Sequence, residues 1–538
     1  MIIKNNFLRK LVCLLITLVV GFAIFYVQLP AINLRAPEFY SFVVMLTVIY
    51  TVLNLLTSVG RVRDGVGEYF AEIKRSCKIP VVIIALAIIF PISAGIFSAK
   101  IFRASAYRNL ITVENGNFTD DVAEISFDKI PMLDRDSAER LGDRKLGELS
   151  DMVSQFEVAD DYSQINLNGR PVRVTPLEYG DTIKWITNRA KGIPAYLIID
   201  MANQEVEVVR LENGIKYSNS EYLGRYLPRH LRMNYPTFMF SQPIFEVDED
   251  KTPYWVCPKI IKRIGVFGGT DIEGAVLVNA ITGESKYYEN VPEWVDRVYS
   301  ADLIVQQYDY YGSFVNGYIN SLFGQKNVTR TTEGYNYIAL NDDVYMYTGI
   351  TSVGSDQSNV GFILSNQRTK ETKFYPVAGA TELSAMASAE GIVQHLNYTA
   401  TFPILLNVSD EPTYFIALKD NAKLVKMYAM VNVHQYQLAA TGTTPEECEK
   451  QYTKLLATSG VTPEQKITVN EKTGIITDIR SAVKNGNSYY YIQLDNQNIY
   501  YEISASEDER VVIMNNGDKI SIVYEDTNNI IKKIISIE

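Results

Sequence analysis

Three apolar stretches lie within the first hundred residues of this 538-residue chain, and nothing like them follows. Segments 11–29, 39–58 and 80–99 contain no Asp, Glu, Lys, Arg or His. A helix needs roughly 20 such residues to cross the hydrocarbon of a bilayer. Inside that hydrocarbon a backbone must satisfy its own polar groups, so a spanning segment of this kind has to be helical. The pattern therefore predicts a three-helix membrane anchor over 1–100, followed by a large polar domain.

Charge divides the chain at the same boundary. Residues 1–100 carry 10 of the 51 Lys and Arg and 4 of the 62 Asp and Glu, leaving 41 basic and 58 acidic residues, a net of −17, for the rest. So acidic a domain is a poor match for nucleic acid, and no nucleic-acid partner is expected. The bilayer itself is the first partner. Basic residues near span ends set orientation. Lys4, Arg9 and Lys10 precede the first span, and Arg61, Arg63, Lys74, Arg75 and Lys78 lie between the second and third. The opposite side holds Arg35, Lys100, Arg103 and Arg108. Eight against four predicts a multi-pass plasma-membrane protein with a cytoplasmic N-terminus and an extracytoplasmic C-terminal domain.

With no ionisable group inside the spans, transport by this chain alone is not expected, because ions and protons need partners at that depth. Pro91 and Gly95 should loosen the third span near its outer end. In the inner loop, Val62, Val66, Tyr69, Phe70, Ile73 and Cys77 recur at helical spacing. They predict one apolar stripe suited to the membrane interface.

Residues 101–135 read as a membrane-proximal linker, 136–290 as a first α+β module, 291–460 as a second set of such modules, and 461–538 as a small barrel. Leu146, Leu149, Val153 and Phe156 fall on one helical face. Asn168-Gly169 between alternating apolar residues predicts a hairpin, and a short helix is expected over Asp181–Arg189. One pattern then recurs: an apolar strand, a polar turn, and a returning strand. It occurs at 195–200 with 206–209, 275–279 with 284–288, 360–364 with 373–375, and 413–418 with 424–428. Amphipathic helices are expected between these hairpins. Ile304, Tyr308, Tyr311, Val315, Tyr318 and Leu322 mark one, and Leu383, Met386, Glu390 and Val393 another. Thr444-Pro445-Glu446-Glu447 forms a capping box ahead of Cys448, Tyr452 and Leu455. Helices between antiparallel hairpins imply an α+β fold.

The unit of helix and strands ending in Asn279-Ala-Ile-Thr-Gly283-Glu284, with a second stretch at 390–433, resembles the PepSY type of extracytoplasmic module. That resemblance implies a binding, chaperoning or inhibitory part of a bacterial envelope protein, without chemistry of its own. No peptidase domain accompanies it here. The C-terminal segments 467–469, 474–479, 489–494, 499–503, 511–514, 519–524 and 530–537 are expected as short strands, with turns at Asn485-Gly486-Asn487 and Asn515–Asp518. Their arrangement resembles an OB-like small β-barrel, a fold that binds oligonucleotides or sugars in some families. Tyr489, Tyr490, Tyr491, Tyr500 and Tyr501 could stack on a ligand there.

Catalytic signatures are scarce. His230, His395 and His434 are the chain's three histidines, and no two have metal-ligand spacing. No Gly-x-Ser-x-Gly elbow accompanies them. Gly265–Thr270 fits no phosphate loop, and Asp248-Glu249-Asp250 lacks the spacing of a calcium loop. Cys257 and Cys448 are the only two cysteines outside the anchor region and read as buried residues. No cofactor, metal or catalytic residue is assigned. Arg225, Arg229, His230 and Arg232 form a basic island in the acidic domain. It is the one place to expect an anionic ligand such as a carboxylate or phosphate, with an internal salt-bridge cluster as the alternative.

The sequence thus predicts a membrane-anchored α+β protein: three N-terminal transmembrane helices, antiparallel sheets with packed helices, and a small C-terminal β-barrel. Its expected function is to bind or scaffold an envelope protein or polymer, more as a non-enzyme than an enzyme. The rival readings are a carboxylate-dependent enzyme acting on cell-wall glycan or peptide, and a transmembrane sensor.

Overall fold

The computed structural model describes residues 6–59, 66–124, 129–340, 342–353, 358–461, 469–484, 487–525 and 530–537. Apolar composition produces helices α1 (Asn6–Gln28), α2 (Pro37–Val59) and α3 (Val66–Phe97). Each is long and apolar enough to cross a membrane over Phe7–Gln28, Pro37–Ser58 and Ile73–Phe97. Hydroxyls inside them bond back to their own helix, as Thr17 does to the Cys13 carbonyl and Thr47 to that of Val43, so no buried donor is left facing hydrocarbon at these positions. Helix α3 starts well before the expected span and runs through Pro80 and Pro91. The side chains of the interfacial stripe from Val62 to Phe70 lie outside the described residues; Ile73 and Cys77 continue into α3.

Residues 101–135, expected as a linker, are largely structured. They hold most of α4 (Lys100–Arg108), then β1 (Val113–Asn115) and α5 (Phe118–Asp121).

Beyond them the chain repeats one unit four times. Each unit is a helix followed by two short strands, two long strands and a return strand. The first has α6 (Arg135–Gly147), β2 (Phe156–Val158), β3 (Ser163–Leu167), β4 (Arg170–Tyr179), α7 (Thr182–Asn188), β5 (Ile193–Asp200) and β6 (Val206–Ile215). The second has α8 (Leu227–Asn234), β7 (Met239–Phe240), β8 (Ile244–Val247), β9 (Pro253–Ile264), β10 (Gly268–Asn279) and β11 (Ser285–Tyr288). The third has α9 (Ala301–Ser313), α10 (Gly317–Ile319), β12 (Thr329–Thr331), β13 (Asn336–Leu340), β14 (Asp343–Ser352), β15 (Ser358–Asn366), β16 (Thr372–Tyr375) and β17 (Gly379–Ala380). The fourth has α11 (Glu382–Ile392), β18 (Thr399–Ala400), β19 (Ile404–Val408), β20 (Glu411–Lys419), β21 (Val425–Asn432) and β22 (Ala439–Gly442), followed by α12 (Pro445–Thr458). In every unit both short strands pair with the two halves of the first long strand. All pairings within the units are antiparallel; β1 joins the third sheet by a parallel pairing to β16.

Local chemistry explains the repetition. The second long strand ends in Asp200, Asn279 or Asn366 in the first three units. Each side-chain Oδ1 accepts two backbone N–H groups of the turn, at 2.8–3.0 Å. Each backbone N–H donates to a glutamate carbonyl five residues on (Glu205, Glu284, Glu371), at 2.9 Å in all three. The residue before that glutamate has positive φ: Gln204 at 64°, Gly283 at 77° and Lys370 at 65°. Only glycine adopts this conformation without cost. Gln204→Gly should therefore stabilise the protein by about 0.5–1 kcal/mol. Gly283→Ala should cost about 1–2 kcal/mol, because the new methyl would enter the Tyr217 ring that covers Gly283. Thermal melts of the two variants would check the opposite signs.

The hairpin at Asn168-Gly169, with φ of 53° and 74°, and α7 with its Asp181 cap are found as expected. The capping box starts α12, although Glu447 reaches back to Thr443 rather than Thr444. Two helices differ from expectation. The face read from Leu146 to Phe156 combines the last turn of α6, a turn, and strand β2. The face read to Leu322 breaks after Ser313, and Leu322 is exposed. Of the four hairpins, three pair the second long strand with the return strand of their unit, whereas 413–428 pairs the two long strands β20 and β21.

One apolar core runs through the first two units, from Leu146 to Ala280, around Tyr196, Phe245 and Trp255. Cys257 and Cys448 are both buried free thiols, and burial pushes the Cys448 thiol up to about 12.

Residues 456–538 form a separate compact unit. Its strands β23 (Val469–Lys484), β24 (Asn487–Leu494), β25 (Tyr500–Ser504), β26 (Lys519–Glu525) and β27 (Ile531–Ile537) pair in the closed order β23-β24-β25-β27-β26. The segments expected at 467–469 and 474–479 belong to one strand where described: β23 pairs with β26 through its first half and with β24 through its second. Residues 467–468 and 485–486 lie outside the described residues, and 509–513 is a 3₁₀ turn rather than a strand. Tyr501 is buried against Tyr524. Cations lie over the rings of Tyr489, Tyr491 and Tyr500.

Candidate functional site

Each repeat interrupts its short edge strands with a connection, residues 159–162, 241–243, 332–335 and 401–403, whose first residue still bonds the long strand before the chain leaves it. All four connections meet at a cavity of about 570 Å³. A site built this way draws on residues from Pro131 to Ala417.

Its floor is cationic. Arg173 projects from β4 and is 8% exposed. Its nearest acceptors are the Leu133 and Tyr162 carbonyls at 3.5 Å, the outer limit for a hydrogen bond. Burial, then the like charge of Arg297, lower its pKa to about 10, so it stays charged at neutral pH. Arg297 lies over the Tyr337 ring at 5.1 Å and reaches its hydroxyl at 3.4 Å. The Arg297 Nε is buried without a hydrogen-bond partner, as is the Tyr162 hydroxyl. Among the described residues neither Arg173 nor Arg297 forms an ion pair within 4 Å. Of the cavity acids, Asp134 pairs with Lys419 and Asp136 with Lys423. Asp161 has its carboxyl pKa raised by burial, against the pull of Arg297 and Arg135.

Beneath Arg297 sits a buried acid pair. Glu246, at 0% exposure, accepts the backbone N–H groups of Asp296 and Arg297, both at 3.0 Å. Asp296 accepts that of Asn166 at 2.6 Å. Burial pushes Glu246 up to about 8, and burial plus the Glu246 charge hold Asp296 well above the carboxylate range. The pair fixes the backbone from which Arg297 enters the cavity.

The basic island lies elsewhere, on and beside α8, and its members face different ways. Arg229 Nε donates to the Tyr26 carbonyl at 2.9 Å and stacks on the Tyr26 ring at 4.2 Å. Arg232 Nε donates to the Leu29 carbonyl at 3.0 Å, and its Nη1 to the carbonyls of Pro236 and Phe238. A helix C-terminus leaves carbonyls unpaired and a partial negative charge. Two guanidinium groups therefore clamp the end of α1 to the polar domain. Arg225 bonds the Arg189 carbonyl, and His230 bonds that of Gly283, its pKa lowered by burial. Other bonds tie the same region to the anchor. Ile32 N–H donates to the Pro236 carbonyl, and Ser98 Oγ accepts the N–H groups of Val266 and Phe267.

Arg173, Arg297, Asp161, Tyr162 and the Glu246–Asp296 pair were not anticipated. Arg173 carried one legible signal, a charge set between Val172 and Val174 in the middle of a strand. Among the described residues no cluster of three His, Cys, Asp or Glu could hold a metal. No protein-family model and no curated protein matches this chain.

Proposed function

We propose that this chain is a membrane-anchored, extracytoplasmic binding or scaffolding protein of the bacterial cell envelope, without catalytic chemistry of its own. An acidic group of an envelope protein or polymer enters the cavity where the four repeats meet. The observation that carries this reading is the pair Arg173 and Arg297, two guanidinium groups without a carboxylate partner in an enclosed space. Such forks suit carboxylates and phosphates.

The repeated unit, a helix beside an antiparallel meander, supports the PepSY-like reading. The closed order first-second-third-fifth-fourth, with β25 and β27 parallel, supports the OB-like reading of the last unit. The excess of basic residues before the first span and between the second and third supports an extracytoplasmic polar domain.

A photoreactive amino acid at Tyr335, on the cavity rim, tests the proposal in intact cells. It should capture a discrete envelope component. Arg173→Gln with Arg297→Gln should lower capture about tenfold or more, the loss expected for charge-assisted hydrogen bonds. Identical products from a probe at the exposed Tyr436, or capture unchanged in the double variant, would refute it.

A further inference from the structure

Where the anchor meets the polar domain, two hollows lie side by side. One, of about 530 Å³, is formed by the connection after α1 and by strand β9. The other, of about 410 Å³, is largely apolar and lies against Leu29 and Pro37 at the ends of α1 and α2. They share Met239, Ile260 and Lys262. We propose that the pair holds one anionic membrane lipid, with its phosphate against Lys262 and Arg35 and the start of its acyl chains over Met239 and Ile260.

Position argues for this first. Helix α1 ends at Gln28 and α2 begins at Pro37, so the connecting residues sit where hydrocarbon gives way to headgroups. Tyr26 and Tyr40 mark the same level, as interfacial aromatics do. Tyr40 bonds the Leu34 carbonyl and packs against Phe90 and Phe267.

Charge argues for it next. Five basic and two acidic side chains line the two hollows, in a domain that is otherwise strongly acidic. Three of the five are already engaged. Lys259 pairs with Glu273 at 2.6 Å, Arg263 with Asp271 at 2.7 Å, and Arg232 holds the end of α1. Arg35 and Lys262 form no ion pair within 4 Å among the described residues. Arg35 donates to the Lys262 carbonyl and Lys262 to Thr270 Oγ1, which leaves N–H groups on both for a phosphate. Glu38, in the apolar hollow, is the acid whose charge reaches Lys262, and it is solvent-exposed. Basic pockets beside spanning helices suit anionic headgroups, and a basic compartment continuous with an apolar one matches an amphiphile rather than a free ion.

Native mass spectrometry of the full-length protein in neutral detergent tests the assignment. Titration with phosphatidylglycerol should leave one retained lipid, preferred about tenfold or more over phosphatidylcholine. Lys262→Gln should reduce retention by a similar factor, and Lys262→Arg should restore it, which separates loss of the charge from loss of the fold. Millimolar inorganic phosphate should not displace the lipid. Equal retention of the two lipids would overturn the proposal, as would unchanged retention in Lys262→Gln. Displacement by inorganic phosphate would also overturn it, since the site would then serve a free anion.

Discussion

Lowering the pH from 8 to 5 should raise the melting temperature of the full-length protein, and Asp296→Asn should remove part of that rise. The Glu246–Asp296 pair contributes most, beside Glu382, Asp309 and Asp161, whose carboxyls burial also raises. Glu246 has a folded pKa of about 8 against an ordinary 4.5, and Asp296 is raised as well by burial and by the charges of Glu246, Asp343 and Asp342. Between those values the folded protein keeps a proton that the unfolded chain releases. Stability then falls as pH rises, by roughly 1 kcal/mol per pH unit for one such proton. The contribution is most favourable below the unfolded pKa and is lost as pH climbs through the folded one. Asp134 and Asp271, whose pKa values are lowered in the fold, act in the opposite sense, but only in more acidic solution than this window. His230 opposes weakly below about pH 6.5, since its buried ring resists protonation. Asparagine at 296 keeps an oxygen for the Asn166 N–H and carries no charge. A melting temperature that falls on acidification, or a variant with an unchanged slope, would contradict the assignment.

Trp255→Ala should destabilise the first two repeats together, by about 3–5 kcal/mol. Trp255 is 1% exposed, meets the Phe245 ring edge-on at 5.2 Å, and donates its indole N–H to the Tyr217 carbonyl at 2.8 Å. Phe245 in turn meets Tyr196 of the preceding repeat at 5.7 Å. Removing the indole opens a cavity and strips the Tyr217 carbonyl of its donor. Because the core is continuous from Leu146 to Ala280, hydrogen exchange should quicken in β5 and β10 alike. Faster exchange confined to β10 would mean that the repeats unfold independently.

What the sequence disclosed was local. Apolar composition marks the three spans, Asn168-Gly169 needs only its two neighbours, and Asp181 and Thr444 cap the helices that follow them. Three hairpins were legible because their turns repeat a short polar code ending in glutamate. The fourth, 413–418 with 424–428, is paired as expected but joins the two long strands, and the return strand β22 beyond it went unread because the turn after Asn432 is longer and lacks that glutamate. The two-residue strands β7, β17 and β18 are too short to show alternation. The cavity was invisible for a different reason: its arginines come from separate repeats, and only folding brings Arg173 and Arg297 together. The basic island was visible as charge, yet charge alone does not say that Arg229 and Arg232 would be drawn to backbone carbonyls at the end of a helix.

The clamp between α8 and the end of α1, with Ser98 holding the β9–β10 turn, leaves the polar domain no slack leash. A receptor on a long tether sweeps a volume and can meet its target far from the lipid. Here the cavity moves with the three apolar helices, so on the proposed function a ligand would be met at one fixed height above them rather than swept up from a distance.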